Sequence, residues 1–432
     1  MNYFLINQKN TKNTFKKTFL KGDTMINLIN IGYDIGDITV NAFNAIIESD
    51  IIINYDNIDL SSLETYIKDK EIIVRDLNQF NEDLVQSDDE NNLNIKEDED
   101  SNGLDEDEDS IQLEDDSEEK KDSSSSIYSK LENSYSFIDL AISKSFDNNV
   151  VIVCSNNRNI HGISNLLMQI SSKYKDVQLK IYPGVSPIDY ASSILGAPLN
   201  DFIAINLNNP IVSQEELKNK INLSLKNDFI IFVYNLKADF ISKDEENDNF
   251  NMLKELMNNF NNELLVGIVN NNSYEICQFK DIDEEMIGED STLLIGNKLT
   301  YELEDHMINS CDYIVEPKFI SQNIDFFERY LKDETPKGLD YDCDYLPCHK
   351  KLEACDFCYC PFYPCADGIT GGEWIKDKDV WSCQYCDWIH LEQPCQEIRK
   401  GLEDILKDKN DLKTKHIELL RLRRQCLLKT LK

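Results

Sequence analysis

The sequence lacks any apolar run long enough to cross a membrane. A spanning helix needs about 20 mostly apolar residues in a row, and the 432-residue chain contains no such stretch. Residues 1–24 are polar and basic with scattered apolar positions, so they do not have the apolar core of a secretory signal. We therefore expect no membrane partner and a cytoplasmic location, and we interpret residues 1–24 as a disordered arm or a mis-called start.

Positive charge is also scarce. The chain has 44 Lys and Arg against 80 Asp and Glu, a net charge of −36. Because nucleic-acid binding needs a basic face, we expect no nucleic-acid partner. Residues 82–122 alone hold 20 acidic residues against three lysines. The acidic stretch 82–126 has too few large apolar residues to form a core, which predicts a disordered insert.

Residues 25–313 alternate between short apolar runs and segments with helical spacing. This alternation predicts an α/β fold with mainly parallel sheets. The predicted strands are 26–31, 51–54, 72–74, 150–154, 177–181, 202–207, 229–234, 264–269 and 293–295. The predicted helices are 39–49, 137–145, 163–172, one from residue 214, and 252–260. After these we expect a linker, 314–342, with one helix at 324–331, and a basic helical tail, 396–432.

Cysteine is concentrated in one place, since nine of the thirteen fall within residues 343–395. Without an export signal, a reducing compartment favours metal ligation over disulfides, which stay the less favoured alternative. The spacings Cys355-x-x-Cys358 and Cys383-x-x-Cys386 suit a tetrahedral ion. The candidate metal ligands are Cys348, His349, Cys355, Cys358, Cys360, Cys365, Cys383, Cys386 and His390. They are enough for one or two sites, with zinc as first choice and an iron–sulfur cluster as the alternative. All three tryptophans lie in this stretch, where we expect them to pack around the metal core.

This region also resembles a known domain. Its motifs are Pro347-Cys-His, Cys355-x-Phe-Cys-Tyr-Cys-Pro-Phe-Tyr-Pro-Cys365, Gly371-Gly372 and Trp381-Ser-Cys-x-x-Cys-x-Trp-Ile-His390. Together they resemble the cysteine-rich small domain of archaeal and bacterial proteins. The resemblance implies a small metal-binding module of about 50 residues.

Residues 25–313 resemble the tetrapyrrole methylase family, most nearly its precorrin-3B C17-methyltransferase branch. The segments that carry the resemblance are Tyr182-Pro-Gly-Val-Ser-Pro187, Leu195-Gly-Ala-Pro-Leu-x-Asp-Phe202, 207–213, Phe232-Val-Tyr-Asn235, Val266-Gly-Ile-Val269 and Leu293-Leu-Ile-Gly-Asn297. The resemblance implies a two-lobed fold (25–181 and 182–313), S-adenosylmethionine between the lobes, and a homodimer. It implies methyl transfer to a corrinoid precursor in cobalamin biosynthesis, with no dedicated catalytic side chain.

The resemblance also implies which residues contact the cofactor. They are Gly32, Asp34, Gly36, Ser155, Asn156, Asn157, Ile160, Ser186, Pro187, Tyr234, Asn235, Asn271 and Thr292. Two loops depart from the family pattern. The first retains only the outer glycines of Gly-x-Gly-Pro-Gly, and Asn157 stands where the second has an aspartate. Residues 25–313 contain only two arginines for a polycarboxylate substrate, Arg75 and Arg158.

These observations leave three hypotheses. The chain is an S-adenosylmethionine-dependent methyltransferase with a structural or docking metal module. Alternatively, it is a methylase-like protein that binds a tetrapyrrole or a partner without turnover. In the third hypothesis the cysteine module is the active part, as a redox or metal-delivery unit.

Overall fold

The computed structural model describes fourteen segments of the chain, which form two compact units. The segments are 24–32, 35–74, 136–155, 163–174, 177–197, 199–207, 212–236, 248–270, 273–288, 291–310, 314–317, 319, 321–378 and 380–431. The first unit extends to Pro187 and the second begins at Ile188. The predictions for residues 1–23 and for the acidic insert concern residues outside these segments. Within the segments, no helix has the length and apolar character to span a bilayer.

A five-stranded parallel sheet forms the centre of the first unit. Its strands are β1 (Thr24–Asn30), β2 (Ile51–Asn54), β3 (Glu71–Val74), β4 (Val150–Cys154) and β5 (Val177–Tyr182). They lie in the order β3-β2-β4-β1-β5, and every neighbouring pair is parallel. The first predicted parallel sheet is therefore present, with its strands close to the predicted bounds.

Helices cover both faces of this sheet. They are α1 (Val40–Glu48), α2 (Glu64–Ile67), α3 (136–145) and α4 (Ile163–Ser171). Alternate residues of one strand reach opposite cores: Ile51 and Ile53 pack with α3 and α4, while Ile52 packs with α1. Burial on both faces explains why β2 and β4 are continuous apolar runs. Thr39 caps the N-terminus of α1, where its hydroxyl accepts a hydrogen bond from Ala42 N at 3.3 Å.

The second unit contains a mixed sheet. Its strands are β6 (Phe202–Asn206), β7 (Ile230–Tyr234), β8 (Leu265–Asn270), β9 (Ser273–Gln278) and β10 (Thr292–Ile295), in the order β6-β7-β10-β8-β9. The helices in this part are α5 (Pro187–Leu195), α6 (Gln214–Lys226) and α7 (Asp248–Phe260). Leu217, Ile221, Leu253 and Met257 of α6 and α7 pack with strand residues in one core.

The expectation of mainly parallel strands is wrong for this second sheet. Only β6 and β7 are parallel, and the other three pairs are antiparallel. For the pair β8 and β9 the reason is their connection, since only two residues separate the two strands. So short a link permits only a hairpin, because a parallel crossover needs a dozen or more residues.

The chain then continues through a hairpin into the cysteine-rich region. The hairpin pairs β11 (Thr300–Leu303) with β12 (His306–Asn309). Beyond it lie α8 (Ser321–Tyr330), the short hairpin β13 (Glu373–Trp374) with β14 (Trp381–Ser382), and the helices α9 (Glu392–Ile405), α10 (Asp411–Thr414) and α11 (His416–Thr430). Phe327 of α8, Phe357, Leu402 of α9 and Leu419 of α11 belong to one core. The segments predicted as linker and tail therefore contribute helices to the same core as the cysteine-rich residues.

Candidate functional site

Several of the sequence-predicted residues lie at the carboxyl edge of the first sheet. Gly32 follows β1, Ser155 follows β4, and Ser186 follows β5. Asn30 pairs with Cys154, so the loops carrying Gly32 and Ser155 leave the sheet side by side. Between β1 and β4 the connections depart in opposite directions, toward β2 and toward β5. Such a switch point is where open α/β sheets place their ligands.

The backbone is crowded where the loops after β1 and β5 meet. A Cβ atom on Gly184 would lie 2.3 Å from Gly32 N and 2.5 Å from Asn30 O. Gly32 has a φ of +87°, and a Cβ there would lie 2.7 Å from the Cβ of Asp37. Both positions therefore require glycine, whether or not a ligand is bound. Gly36 has open space, since a Cβ there would meet no described atom within 4 Å.

The loop after β2 adds a residue that the sequence prediction missed. Asp56 Oδ2 accepts from Ser155 N at 2.9 Å and from Ser155 Oγ at 3.2 Å. Its other oxygen, Oδ1, is buried and has no hydrogen-bond partner among the described residues. Asn54 shapes this loop through hydrogen bonds with Ile58 N and O at 2.8 and 2.7 Å. The sequence signal that could have pointed to Asp56 is its place two residues after the buried strand β2.

The remaining predictions for this sheet divide in two. Pro187 is the first residue of α5, a position where its fixed φ and missing N–H suit a helix. Asp34, Asn156, Asn157 and Ile160 lie outside the described residues, and their predicted roles stay predictions.

A second group of predicted residues lies at one edge of the second sheet. Tyr234 ends β7 and is buried, which raises the pKa of its hydroxyl. Asn235 follows with a φ of +56° and donates through Nδ2 to Asn206 Oδ1 at 2.9 Å. Thr292 begins β10, which is antiparallel to β7, so it lies at the same edge. Its buried hydroxyl has no hydrogen-bond partner among the described residues.

Two further residues at this edge were not predicted. Asn270 ends β8, and its Oδ1 accepts from Ser291 Oγ, which in turn accepts from Gly288 N at 2.6 Å. Asn270 and Ser291 directly precede the predicted residues Asn271 and Thr292. Their places at strand ends were the sequence signal that could have found them. Asn271 lies outside the described residues.

The cysteine-rich region holds the largest concentration of thiols. A cavity of about 270 Å³ is lined by Cys358, Cys360, Cys365, Cys383 and Cys386, together with His349 and His390. Cys348 is exposed and lies beside His349, whose Nδ1 is 3.2 Å from the Cys348 sulfur. The Cys355 sulfur accepts from Asp340 N at 3.4 Å. Most of the predicted metal ligands therefore lie around one cavity.

Electrostatic interactions divide the thiols into two groups. Burial, and then the neighbours Cys355, Cys348 and Cys343, raise the pKa of Cys358 to about 11. Burial, and then the neighbours Cys383, Cys365 and Cys386, raise the pKa of Cys360 well above its ordinary value. We call Cys343, Cys348, Cys355 and Cys358 the first thiol group, and Cys360, Cys365, Cys383 and Cys386 the second thiol group.

The two candidate histidine ligands form a stacked pair. Their ring centroids are 4.1 Å apart. Burial, followed by the neighbouring His349, lowers the pKa of His390 to about 4. His390 is therefore neutral near neutral pH, the state in which an imidazole binds a metal.

The predicted tryptophan packing is confirmed for two of the three residues. Trp381 and Trp388 are buried, and both line the thiol cavity. Trp374 is 40% exposed and makes an edge contact with Trp381 at 5.3 Å between ring centroids. Its place in the two-residue strand β13 leaves one face uncovered by this core.

In the part of the chain that the structure describes, no three His, Cys, Asp or Glu side chains lie close enough around one point to hold a metal ion. The donor chemistry nevertheless fits a thiophilic metal. The cavity brings together several half-buried thiols and two imidazoles, which are ligands that zinc and iron–sulfur centres use. A hard cation such as magnesium, which prefers oxygen ligands, does not suit this set.

Known families match both parts of the chain. The family of tetrapyrrole (corrin/porphyrin) methylases matches residues 25–276. The chain belongs to the tetrapyrrole methylase family. A "Probable cobalt-factor III C(17)-methyltransferase" of Methanothermobacter thermautotrophicus is 35% identical over 297 residues, 68% of this chain and 83% of that relative. The crystal structure of the methyltransferase CobJ aligns over 66% of this chain and all of that chain, with a TM-score of 0.46 and 16% identity.

The second match concerns the cysteines. A cysteine-rich small domain matches residues 336–413 of this tetrapyrrole methylase. An uncharacterized protein of Methanocaldococcus jannaschii is 42% identical over 76 residues, 17% of this chain and 63% of that protein. The match extends past the predicted end of the module at residue 395, which agrees with the shared core of cysteine-rich residues and C-terminal helices.

Membership of the family implies S-adenosylmethionine, and the carboxyl edge of the first sheet fits it. The loops after β1 and β5 pack backbone against backbone, so their amides approach the edge without intervening side chains. Asp56 Oδ1 is a buried acceptor without a described partner. It could take a hydrogen bond from a hydroxyl or ammonium group of the cofactor.

Proposed function

We propose that this tetrapyrrole methylase is an S-adenosylmethionine-dependent C17-methyltransferase that acts on cobalt-factor III or a closely related precorrin in cobalamin biosynthesis. The observation that carries the proposal is 35% identity to a relative of that name, of which the chain covers 83%. The switch-point edge of the first sheet, with its glycine contacts and the unpaired oxygen of Asp56, supports it.

When bound, S-adenosylmethionine would supply an electrophilic methyl group on its sulfonium. The acceptor would be a carbon of the corrinoid ring, and the spent cofactor would be S-adenosylhomocysteine. The protein's contribution is mainly alignment, which can lower the barrier by several kcal/mol without a nucleophile. The loops of Gly32 and Gly184 would hold the cofactor through their backbone, and Asp56, oriented by Ser155, would fix it through Oδ1.

We assign a structural metal to the cysteine-rich domain, with zinc as first choice and an iron–sulfur cluster as the alternative. The domain contacts the hairpin β11–β12 in the second unit. Gly368 N donates to Tyr301 OH at 3.1 Å, and Ser310 Oγ donates to Asp367. A metal would therefore stabilise the part of the domain that contacts this hairpin. We also propose a homodimer, as in the family resemblance, which light scattering on the purified chain would test.

Two measurements on the purified full chain test the proposed reaction. Calorimetry with S-adenosylmethionine should show saturable binding, and adding cobalt-factor III should release S-adenosylhomocysteine in proportion to corrinoid consumed. Binding of the cofactor without transfer would support a non-catalytic methylase-like protein instead. Absence of heat at millimolar cofactor, with a folded protein, would reject the proposal.

A further inference from the structure

The second thiol group comes from two distant pieces of the cysteine-rich domain. Cys360 and Cys365 lie before the 3-10 helical turn at Gly368–Thr370, and Cys383 and Cys386 lie after β14. All four line the same cavity. The two pieces must be held together for the four sulfurs to act as one site.

The structure supplies contacts that hold them. Tyr363 OH donates to Trp381 O at 3.1 Å, which joins the first piece to the strand that precedes Cys383. Gly371 lies against the turn of the second pair, because a Cβ there would meet Tyr385 O at 2.2 Å. The positive φ of Gly371, +93°, also requires glycine. The close packing of these turns is therefore built into the sequence.

Polar groups approach the sulfurs of this group. Phe362 N donates to the Cys360 sulfur at 3.4 Å. The Cys386 thiol donates to Thr370 Oγ1 at 3.2 Å, and as a thiolate it would accept from that hydroxyl. Backbone N–H groups and hydroxyls that donate to sulfur are the hydrogen bonds that tune thiolate-bound metals.

A buried cation from the C-terminal helix completes the surroundings. Arg423 of α11 lines the cavity and is 2% exposed. Its Nη2 donates to Thr370 Oγ1 at 3.3 Å, and its Nη1 pairs with Asp367. Thr370 therefore connects the guanidinium to the Cys386 sulfur. A buried arginine is costly unless it is compensated by negative charge, and metal-bound thiolates supply such charge in addition to Asp367.

We propose that Cys360, Cys365, Cys383 and Cys386 form one thiolate-bound metal centre, separate from the first thiol group, with Arg423 as its positioning residue. The centre takes a thiophilic metal, either a zinc ion or an iron–sulfur cluster. This inference rests on the proposed metal binding of the domain and adds its ligand set. The first thiol group, with His349 and His390, is then left for a second centre or for no metal.

The assignment links the metal to the hairpin β11–β12. Asp367 lies two residues after Cys365 and joins Arg423 of α11 to Ser310, which follows β12. Loss of the metal should therefore loosen the contact between the cysteine-rich domain and the hairpin. This effect would be seen as faster hydrogen exchange in residues 300–310.

The test uses the full chain purified without oxygen, with metal content measured by elemental analysis. The double variant Cys383→Ser/Cys386→Ser should lose one metal centre, while Cys395→Ser, a buried thiol bonded to Ile389 O, should retain the wild-type content. A visible charge-transfer band identifies an iron–sulfur cluster, and its absence with bound zinc identifies a zinc ion. Alkylation of wild-type protein followed by mass spectrometry does not depend on any variant folding. The four cysteines of the second thiol group should be protected together and become reactive together after chelation.

Arg423 is tested by metal affinity. In competition with a chelator for zinc alone, Arg423→Gln should weaken binding about 10–100-fold, the usual effect of removing an outer partner of a metal ligand. Arg423→Lys, which keeps the charge, should restore most of it, and the exposed Arg421→Gln serves as control. A lower melting temperature with unchanged zinc affinity would overturn the role of Arg423.

The outcomes separate this inference from the proposed function. If the double variant keeps its full metal content while Cys355→Ser/Cys358→Ser loses it, the ligand assignment is wrong and metal binding by the domain stands. If wild-type protein neither contains metal nor takes up zinc, the proposed metal binding fails and this inference fails with it.

Discussion

A methyl group added at Gly184 tests the geometry of the proposed cofactor edge. In Gly184→Ala the new Cβ would lie 2.3 Å from Gly32 N, 2.5 Å from Asn30 O and 2.8 Å from Gly32 Cα. All three neighbours are backbone atoms of the chain at the end of β1, so no side chain can rotate away. Overpacking of this kind costs about 1–3 kcal/mol. We expect the upper half of that range, because the backbone itself must move.

The matched comparison is Gly36→Ala in the loop after β1. Its Cβ would meet no described atom within 4 Å, and its φ is not in the left-handed region. We expect the free energy of unfolding to stay unchanged or to rise by about 0.4–1 kcal/mol, as at other compatible glycines. Urea denaturation of both variants gives the two values. Calorimetry should show that Gly184→Ala also weakens S-adenosylmethionine binding, since the displaced loop carries the proposed contacts. Equal stability of the two variants would refute the crowded arrangement of the loops after β1 and β5.

Three other changes probe separate features. Asp56→Asn should lower S-adenosylmethionine affinity by about 10–100-fold, since a hydrogen bond to a charged group contributes about 1.5–3 kcal/mol; calorimetry measures it. Asp367→Asn should lower the free energy of unfolding by about 3–5 kcal/mol, because it leaves the buried Arg423 without its anionic partner; urea denaturation measures it. Burial lowers the pKa of His416 below 6.5, so protonation favours the unfolded chain. The contribution of His416 is therefore present above pH 6.5 and lost as pH falls below it, and His416→Leu should reduce that slope in pH-dependent melting.

Two of these changes have a control in the same molecule. Asp50 precedes β2 at the opposite end of the sheet, where its carboxylate accepts a hydrogen bond from Asn149 N at 2.9 Å. Asp50→Asn should therefore leave cofactor affinity unchanged. The exposed pair of Glu397 with Lys429 should contribute about 0–1 kcal/mol, so Glu397→Gln should cost far less than Asp367→Asn. Equal effects within either pair, or an unaltered slope in His416→Leu, would show that the corresponding argument is wrong.

The sequence was sufficient to predict the centre of the first sheet because β1, β2 and β4 are buried on both faces. Residues 51–54 and 150–154 are continuous apolar runs, and helices cover both sides of them. The direction of strands in the second sheet was not predictable from such runs alone. The hairpin of β8 with β9 was missed because residues 273–278 were not among the predicted strands.

The family pattern named several residues that the structure places at or just after strand ends, among them Gly32, Ser155 and Tyr234. Their contacts with a cofactor stay predictions. Asp56 was missed because its role depends on a contact with Ser155, 99 positions along the chain, which no local pattern shows. Gly36 has open space among the described residues, and its contact with the cofactor stays a prediction.

The organisation of the cysteines also depends on tertiary structure. Spacing predicted Cys355-x-x-Cys358 and Cys383-x-x-Cys386 as ligand pairs. It could not show which of the other cysteines lie beside each pair in the folded domain. Residues 396–432 were predicted as a basic helical tail behind the module, yet Leu402, Leu419 and Leu427 lie in the core of the cysteine-rich domain. The apolar stripe of these helices outweighs the charge on their exposed faces.

The most direct test of the proposed function locates the transferred methyl group. The full chain is incubated with methyl-¹³C-labelled S-adenosylmethionine and cobalt-factor III, and the corrinoid product is analysed by mass spectrometry and ¹³C NMR. We predict a product that carries one labelled methyl group, on C17. An unlabelled corrinoid after incubation with folded, cofactor-binding protein, or a label on another ring carbon, would contradict the proposed C17-methyltransferase activity.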